Sequence, residues 1–292
     1  MGNGEGAPES GTVPHISVII PAKNAAGTIA DQLDALACQT FAGPFEVLIA
    51  DNGSSDDTLR IVESYRDRVP DLRVIDASSR PGSAFARNEA ARSARGGLLC
   101  FCDADDVVDA VWLDALKRCA ESQEIVGGRL DVETLNEPHV RAWRSAPQAS
   151  RSLGDVTFAP SGNMAISSKL FHELRGFDVE YLKSHDVEFS ARAVAAGHTI
   201  GFCPEAVVAY RLRADLNGLA RQAFRAGRAT AQAFADGQAS PRSIKETVQD
   251  WAWLVIRVPT LASRMRRGIW VRRAAQAMGR LVGSVRWRVV YL

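Results

Sequence analysis

Short apolar runs alternate with longer segments of helical periodicity through the first half of the chain. The apolar runs predict buried strands at Ile16–Ile20, Phe45–Ala50, Leu72–Asp76 and Leu98–Cys102. Between them, apolar residues at helical spacing predict helices over Thr28–Cys38, Leu59–Val69 and Gly82–Ala94. Strands that alternate with helices of about 10–15 residues are typical of βαβ units, so the pattern predicts an α/β fold with a mostly parallel sheet flanked by helices.

The second half of the chain is less regular. The segment Val107–Cys119 is helix-like, and Glu133–Asp155 is polar with little periodicity, which predicts a loop. Further strands are expected at Ile125–Val132, Thr199–Cys203 and Ala206–Tyr210, and further helices at Ser168–Leu174, Asp186–Ala196 and Gly218–Phe234.

Composition divides the chain into four parts. Residues 1–14 are rich in Gly, Pro and Ser and acidic rather than basic and apolar, so we expect a disordered leader and not a signal peptide. We assign residues 15–235 to the α/β domain, 236–243 to a linker and 244–292 to a basic, amphipathic helical tail. No apolar run reaches the ~18–20 residues of a transmembrane helix, so we expect a soluble or peripheral protein.

Polar clusters follow three of the predicted strands, at residues 21–24, 51–57 and 103–106. In a parallel sheet ligands bind at the carboxyl ends of the strands, which places the three clusters at one edge. Asp103 and Asp105 stand two residues apart there, and converging carboxylates suit a hard divalent cation that holds a polyphosphate. The pattern favours a metal-dependent enzyme acting on a nucleotide diphosphate. The alternative is that Asp103 to Asp106 only cap the following helix.

Charge is distributed unevenly along the chain. The formal net charge is +1, yet residues 251–292 hold nine arginines and no acidic residue. The rest of the chain holds 26 basic and 34 acidic residues, so its net charge is about −8. A basic tail on an acidic body implies either an anionic partner for the tail or docking of the tail onto the body.

The five cysteines, at positions 38, 100, 102, 119 and 203, are odd in number and lack the spacing of metal ligands. Cys100 and Cys102 lie two apart on one face of a predicted strand. We interpret them as small core residues of a protein in a reducing compartment.

Seven short motifs follow one another along the chain. They are Ile-Ser-Val-Ile-Ile-Pro-Ala-Lys-Asn at 16–24, Asp-Asn-Gly-Ser-Ser-Asp-Asp-Thr at 51–58, Ala-Arg-Asn at 86–88, Asp-Ala-Asp-Asp at 103–106, Gly-Asn-Met-Ala at 162–165, Gly-Phe-Asp at 176–178 and His-Asp-Val-Glu at 185–188. Each is weak alone, but in this order the chain resembles the family 2 glycosyltransferases of GT-A fold over approximately residues 16–234. The resemblance implies that residues 15–235 form a GT-A domain.

The resemblance also implies a donor-binding site. Its residues are Pro21, Ala22, Asn24, Asp51, Arg87, Asn88, Asp103, Ala104 and Asp105. Pro21 and Asp51 would flank the nucleotide base, Asp103 would lie near the ribose and the metal, and Asp105 would be the main ligand of Mg²⁺ or Mn²⁺. The alternative for Asp51 is a loop residue that closes an Asx turn, and for Arg87 a solvated or ion-paired helix face.

The remaining implied residues concern the acceptor. Asp186 matches the carboxylate that family members use as general base, which takes the proton of the acceptor hydroxyl during inversion; it also suits a helix N-cap. Gly162 and Asn163 resemble the acceptor-side loop. His185 stands where many relatives carry an acid, and it is either an acceptor contact or a surface residue.

The chain departs from the family pattern near the expected metal. Relatives often carry a His shortly after the strand corresponding to Ala206–Ala209, where this chain has Tyr210 and Arg211. Either the metal is held by Asp105, phosphate and water alone, or Arg211 partly replaces the His as a phosphate contact.

The tail has an apolar helical stripe between Trp270 and Val285, with arginines roughly opposite. This arrangement suits an interfacial helix that binds an anionic membrane surface through residues 251–292. The alternative is a pair of helices, broken at Pro259, that packs on the catalytic domain or pairs two subunits into a homodimer. The acidic body and the lack of a recognition motif argue against nucleic acid as a partner.

These features predict an inverting, metal-dependent glycosyltransferase that moves a sugar from a nucleotide-diphosphate sugar donor to a hydroxyl of a glycan or lipid-linked acceptor. We expect it in the cytoplasm, peripheral on the inner face of the plasma membrane, in cell-envelope glycan or glycolipid synthesis. One alternative is a nucleotidyltransferase, for which residues 21–27 make a poor phosphate loop. The other is a catalytically silent protein that binds sugar nucleotides or scaffolds a membrane assembly.

Overall fold

The computed structural model describes residues 14–143, 158–181, 185–237 and 240–291. Its centre is an eight-stranded sheet with the strand order β3-β2-β1-β4-β7-β6-β8-β5. The strands are β1 (Ile16–Ala22), β2 (Phe45–Asp51), β3 (Leu72–Asp76), β4 (Leu98–Cys102), β5 (Val107–Val108), β6 (Ile125–Asp131), β7 (Asn163–Ser167) and β8 (Ile200–Ala209). The predicted α/β class is confirmed.

Helices cover both faces of the sheet and continue beyond it. In the described ranges they are α1 (Ile29–Ala37), α2 (Thr58–Glu63), α3 (Ser83–Ser93), α4 (Trp112–Cys119), α5 (Pro138–Trp143), α6 (Ser168–Glu173), α7 (His185–Ala195), α8 (Leu216–Ala235), α9 (Ile244–Ile256) and α10 (Arg264–Trp287), with a 3-10 helix at Val258–Ala262.

The first four strands form the parallel half of the sheet, in the order β3-β2-β1-β4. One core cluster lies on the face covered by α1 and α4, and a second lies on the face covered by α3, α6 and α7. Strands buried on both faces need apolar side chains at successive positions. This double burial explains why β1, β2 and β4 are continuous apolar runs in the sequence.

The antiparallel half of the sheet positions the candidate site. Strand β7 runs antiparallel to β4, with Cys102 opposite Asn163, so the chain leaves β4 and enters β7 at the same edge. The loop of Asp103 to Asp106 therefore lies beside Gly162. Strand β5 is antiparallel to β8, with Val107 opposite Ala209, and this pairing brings Arg211 to the same loop.

Several predicted element boundaries are wrong. Pro21 does not end β1, which continues to Ala22. The pairing of β1 with β4 stops at Ile19, so on that side no hydrogen bond between the strands requires the N–H that Pro21 lacks. The helix-like segment Val107–Cys119 is split, since pairing with β8 draws its first two residues into β5.

Other differences lie in the second half of the chain. The predicted loop 133–155 contains the helix α5, while its residues 144–155 lie outside the described ranges, as does the predicted leader up to residue 13. Strand β7 at Asn163–Ser167 was not predicted as a strand, and it leads directly into α6. The two short strands predicted at 199–210 are one strand, β8, whose pairing with β6 shifts register between Gly128 and Arg129.

The cysteines behave in two ways. Cys100 and Cys102 are free, fully buried core residues, as we interpreted them. Cys119 and Cys203 form a disulfide that joins α4 to β8, with their Cα atoms 6.1 Å apart. This bond was not predicted, and it runs against the reducing environment that we inferred, since disulfides persist in oxidising compartments.

The basic tail packs on the body of the protein. Helix α10 crosses α8 so closely that a Cβ on Gly227 would strike the carbonyl of Gln276, and one on Gly279 would strike the carbonyl of Phe224. Trp143 of α5 donates its indole N–H to the carbonyl of Arg264 at 3.2 Å. Gly227 and Gly279 permit the close contact between α8 and α10, because glycine has no side chain to separate the two backbones. Across the described helices, none combines the length and apolarity needed to span a bilayer.

Candidate active site

A cleft of about 740 Å³ opens at the edge of the sheet where β1 and β4 end. Its wall includes residues from both of these strand ends, from α3 and from the start of α7. Helices α8 and α10 close the other side through side chains that include Gln222 and Arg272. The cleft is therefore built jointly by the sheet and the C-terminal helices.

Three carboxylates meet at the floor of this cleft. One oxygen from each of Asp103, Asp105 and Asp106 lies within 4.8 Å of the others. Burial, followed by the charge of Asp103, raises the pKa of the Asp105 and Asp106 carboxyls. At Asp105 the nearby guanidinium of Arg213 acts in the opposite direction and lowers the pKa. Mutual repulsion of this kind is relieved by a bound cation.

The cluster fits a divalent metal ion. Asp106 is 1% exposed, and its Oδ1 accepts the backbone N–H of Arg211 at 2.7 Å. Its Oδ2 is buried and, among the described residues, has no hydrogen-bond partner. A buried carboxylate oxygen without a donor is costly, and hard cations such as Mg²⁺ and Mn²⁺ take oxygen ligands of this type. Asp106 thus joins Asp103 and Asp105, the two ligands expected from the sequence.

Gly162 lies directly against the carboxylates. A Cβ at this position would stand 3.0 Å from Oδ2 of Asp103 and 3.8 Å from Oδ2 of Asp106. The small residue that we expected on the acceptor side therefore leaves space beside the carboxylate cluster, and its backbone does not line the cleft.

Two arginines after β8 bind the loop of carboxylates. Arg211 donates from Nε to the carbonyl of Asp105 at 2.8 Å and from Nη2 to Asp31 at 2.8 Å, so its guanidinium holds the loop. Arg213 places Nη2 2.9 Å from Oδ2 of Asp105 and is 53% exposed at its side chain. Sequence analysis missed Arg213; its only signal was a second basic residue shortly after a strand that ends at the cleft.

Arg87 joins the two sides of the cleft. Its side chain is 3% exposed; Nη2 pairs with Oδ1 of Asp103, and Nη1 lies 3.4 Å from Nε2 of His185. Since a guanidinium only donates, a hydrogen bond between these two side chains requires Nε2 of His185 to be the acceptor. The solvated helix face offered as an alternative for Arg87 is thereby excluded.

His185 is buried and not a surface residue. Its ring packs edge-to-face on Phe177 with centroids 5.0 Å apart, and Nε2 lies 3.1 Å from Oγ of Ser161. The next residue, Asp186, accepts the backbone N–H of Ser161 at 3.3 Å through Oδ2. Burial raises the pKa of the Asp186 carboxyl, against the opposing charge of Arg87. Ser161 was not foreseen from the sequence.

The structure brings together most of the expected site residues. Those that line the cleft are Pro21, Asn24, Arg87, Asp103, Ala104, Asp105, His185 and Asp186. Asn24 also ties two loops, since its Oδ1 accepts the N–H of Ser55 at 2.8 Å. Its φ of 51° is a left-handed conformation that Asn tolerates better than most residues.

Five expected residues do not line the cleft: Gly162, described above, and Ala22, Asp51, Asn88 and Asn163. Ala22 is buried in β1, and Asp51 accepts the N–H of Ser54 at 3.1 Å, the Asx-type contact that we gave as its alternative; its role in base binding stays a prediction. Asn88 exchanges two hydrogen bonds with the backbone of Phe177 at 2.8 and 3.0 Å. Asn163 accepts from Trp112 at 2.9 Å and donates to the carbonyl of Ala206 at 2.9 Å, so its side chain fastens the sheet.

Comparison with known proteins identifies the family. The model of the family described as "Glycosyl transferase family 2" matches residues 17–175, more than half of the chain. The chain belongs to glycosyl transferase family 2. Glycosyltransferase AglE of Haloferax volcanii is 26% identical over 230 residues, which cover 76% of this chain and 75% of that protein. The TarS poly(ribitol-phosphate) β-N-acetylglucosaminyltransferase of Staphylococcus aureus is 38% identical over 95 residues, 32% of this chain and 16% of TarS.

Solved structures show that this family 2 glycosyltransferase has the GT-A fold. The mannosyltransferase PcManGT of Pyrobaculum calidifontis, in complex with GDP-Man and Mn²⁺, aligns with a TM-score of 0.63 at 21% identity and covers 95% of this chain and 90% of that one. The TarS 1–349 structure with UDP aligns with a TM-score of 0.57 at 19% identity, covering 95% and 93%.

Replacing Arg87 by Met should destabilise this glycosyltransferase. The change keeps the buried aliphatic stem but removes the charged hydrogen bonds to Asp103 and His185. We expect the loss, including the cost of leaving the two partners unsatisfied, to be about 1.5–3 kcal/mol. We expect a corresponding fall in the free energy of unfolding, measured by chemical denaturation. Arg92→Met, on the same helix but in an exposed pair with Glu89, is the control and should change little. Equal effects of the two changes would contradict the buried bridge.

Replacing Asp186 by Asn should stabilise the protein in neutral buffer. The raised pKa of Asp186 means that its ionised form is disfavoured by the fold; this penalty is present above the folded pKa and absent below the unfolded pKa. Thermal melts should therefore give a higher Tm for the variant at neutral pH and no difference in strongly acidic buffer. A lower Tm at neutral pH would show that the carboxylate is a structural ligand instead.

Proposed function

We propose that this chain is an inverting, metal-dependent glycosyltransferase that moves a sugar from a nucleoside diphosphate donor to an acceptor hydroxyl. One observation carries the proposal: Arg87 couples a carboxylate cluster, in which Oδ2 of Asp106 is buried without a partner among the described residues, to the first turn of α7, which holds Asp186. The cluster suits the diphosphate of a donor, and Asp186 suits the reacting hydroxyl of an acceptor.

Asp186 is the proposed general base. The acceptor oxygen forms its bond to the anomeric carbon on the face opposite the diphosphate, while the Asp186 carboxylate takes the hydroxyl proton. The bond between the anomeric carbon and the diphosphate oxygen breaks, and its electron pair stays with the nucleoside diphosphate. A carboxyl whose pKa is raised by burial binds this proton more strongly than an ordinary Asp does.

The residues that would hold Mg²⁺ or Mn²⁺ are Asp103, Asp105 and Asp106. Bound there, the ion supplies positive charge that stabilises the departing diphosphate. Arg213 would also stabilise the departing diphosphate, because its exposed guanidinium can leave the Asp105 carboxylate and bind a phosphate of the donor. The PcManGT structure with GDP-Man and Mn²⁺ supports this arrangement by fold.

The acceptor is proposed to be a cell-envelope glycan or a lipid-linked glycan. Support comes from the wide, open cleft, which α8 and α10 extend beyond the donor side, and from the relative TarS, named for a poly(ribitol-phosphate) acceptor. Membership of the glycosyltransferase family removes the nucleotidyltransferase alternative. The silent scaffold differs from the proposal in a measurable way, because it should show no metal-dependent turnover of any donor.

Asp105→Asn should abolish metal-dependent nucleotide binding and leave the fold intact. The test is a thermal-shift screen of the chain against UDP, GDP, dTDP and CDP with and without Mn²⁺, followed by hydrolysis of the matching sugar nucleotide. Asp109→Asn is the control, since this exposed carboxylate four positions later hydrogen-bonds only a backbone N–H at 3.1 Å in the described contacts. Stabilisation of wild type by one nucleotide only with metal, lost in Asp105→Asn alone, is expected; no stabilisation by any pair would favour the scaffold.

We also propose that α9 and the following 3-10 helix dock on an anionic membrane surface. Ile244, Val248 and Val255 are 84%, 60% and 72% exposed and lie with Trp251 on one side of α9. Arg257 and exposed arginines at 264 and 266 follow, with no acidic residue after Asp250. An apolar row beside arginines matches a surface of apolar chains under anionic headgroups, as the cytoplasmic leaflet presents.

Val255→Glu should weaken binding to vesicles that contain phosphatidylglycerol. The change places a negative charge in the apolar row, and co-sedimentation measures the bound fraction. Val194→Glu, an equally drastic change at an exposed position of α7, is the control and should bind like wild type. If Val255→Glu instead dissolves a dimer seen by analytical ultracentrifugation and leaves vesicle binding unchanged, the row pairs two subunits and the membrane proposal is wrong.

A further inference from the structure

A second cavity of about 230 Å³ lies between α9 and α10, beside the catalytic cleft. We call it the Asp250 pocket, and it is lined by Asp250, Leu254, Arg272, Arg273, Gln276 and Arg280. Arg272 and Gln276 also line the cleft, so these two side chains, four residues apart on one face of α10, stand between the two spaces. None of the proposed donor-site residues lines this pocket, and neither does Asp186.

Positive charge exceeds negative charge in this pocket. Nη2 of Arg242 and Nη2 of Arg280 both lie 2.8 Å from the same oxygen, Oδ2 of Asp250. Arg272 and Arg273 add two further guanidinium groups to the wall. Among the described residues that line the pocket, Asp250 is the only acidic one. The Asp250 carboxylate therefore stands against the guanidinium groups of Arg242, Arg280 and Arg273, while Arg272 donates from Nε to the carbonyl of Trp143 at 2.8 Å.

Arg280 shows that the imbalance reaches the interior. Its side chain is 9% exposed, and its Nε is buried without a hydrogen-bond partner in the described structure. Burial, followed by the charge of Arg242, lowers the pKa of Arg280, against the attraction of Asp250. Buried charges in proteins are normally paired, and an unpaired donor on a buried guanidinium is costly. An anion bound in the pocket would offset this positive charge.

The geometry of the wall selects the kind of anion. Arg273 is held over the ring of Trp253, 4.2 Å from guanidinium carbon to ring centroid, which limits its freedom before any ligand binds. Guanidinium groups bind phosphate through paired N–H donors, and a phosphate ester carries up to two negative charges with several acceptor oxygens. A phosphate satisfies more of the surplus donors than a carboxylate does.

We propose that the Asp250 pocket binds a phosphate group that the acceptor substrate carries, while the acceptor hydroxyl lies at Asp186. The acceptor assignment rests on the proposed transferase function; the phosphate site itself does not. Arg272 and Gln276 border both spaces, so one molecule can pass from the pocket into the cleft along α10. The same phosphate chemistry is offered by lipid headgroups, and the experiment separates the two sources.

The test is calorimetric titration of the full chain with inorganic pyrophosphate in EDTA, which removes metal from the carboxylate cluster. We expect binding by wild type, a fall in affinity of about tenfold or more in Arg273→Gln, and binding that Asp105→Asn does not reduce. Arg286→Gln is the matched control, because Arg286 is an exposed arginine of α10 that also lies over a tryptophan, Trp287, but outside the pocket. Arg280→Lys keeps the buried charge and guards against a variant that fails to fold.

Vesicles identify the source of the phosphate. Pyrophosphate binding that depends on Arg273 supports a phosphate on the acceptor; if only co-sedimentation with phosphatidylglycerol vesicles depends on Arg273, the site takes a lipid headgroup phosphate. If neither depends on it, or if Arg286→Gln has the same effect, the proposal is overturned. Donor hydrolysis by wild type is measured in parallel, so failure of the transferase function appears there and failure of the phosphate site appears in the titration.

Discussion

The buried guanidinium of Arg87 is the contact on which the candidate site depends. It lies in the middle of α3 and lines the cleft, with Asp103 on one side and His185 on the other. A fully buried cation is tolerated only where acceptors surround it, so the loop after β4 and the start of α7 must both be in place for α3 to pack. Arg87 therefore joins three segments that are far apart in the chain. Arg also serves here better than Lys, because its planar fork reaches two acceptors at once.

The carboxylates next to this arginine lower the stability of the fold. Asp105 and Asp106 sit close to Asp103 in surroundings that disfavour their charged forms, and one oxygen of Asp106 has no donor among the described groups. Such an arrangement opposes stability and is retained where it serves a ligand. Arg211 and Arg213 offset part of the repulsion. The scaffold beneath is correspondingly rigid, with β1 and β4 buried on both faces.

The C-terminal helices are part of the catalytic body as well as a basic tail. Close contact between α8 and α10 needs glycines at 227 and 279, and it carries Arg272 and Gln276 to the wall of the cleft. Because α10 bears many arginines and no acid, its packing concentrates positive charge beside an acidic domain. That charge is distributed over two surfaces: the Asp250 pocket, which faces the cleft, and the region around α9, which faces outward with its apolar row.

Local signals in the sequence were enough to predict the α/β class, the strands β1 to β4, the family and eight of the residues that line the cleft. These features follow from local signals, namely apolar runs that mark strands buried on both faces and polar residues placed directly after them. Asp103, Asp105 and Asp186 were found because each lies within a short motif. The helix break at Pro259 was likewise predicted, since proline has no backbone N–H to donate and its ring clashes with the preceding turn of a helix.

Tertiary structure alone decided what the individual polar side chains do. Asn88 and Asn163 stand in motifs like the true cleft residues, but Asn88 bonds the backbone of Phe177 and Asn163 bonds the backbone of β8, and only the packing fixes these directions. Arg87 looked like a surface arginine on an alanine-rich helix, whereas the loop after β4 covers it. The Cys119–Cys203 disulfide, the arginine surplus at Asp250 and the role of Arg213 all join segments far apart in the chain. Sequence spacing carries no information on such contacts, because they are set by how the sheet and helices close on one another.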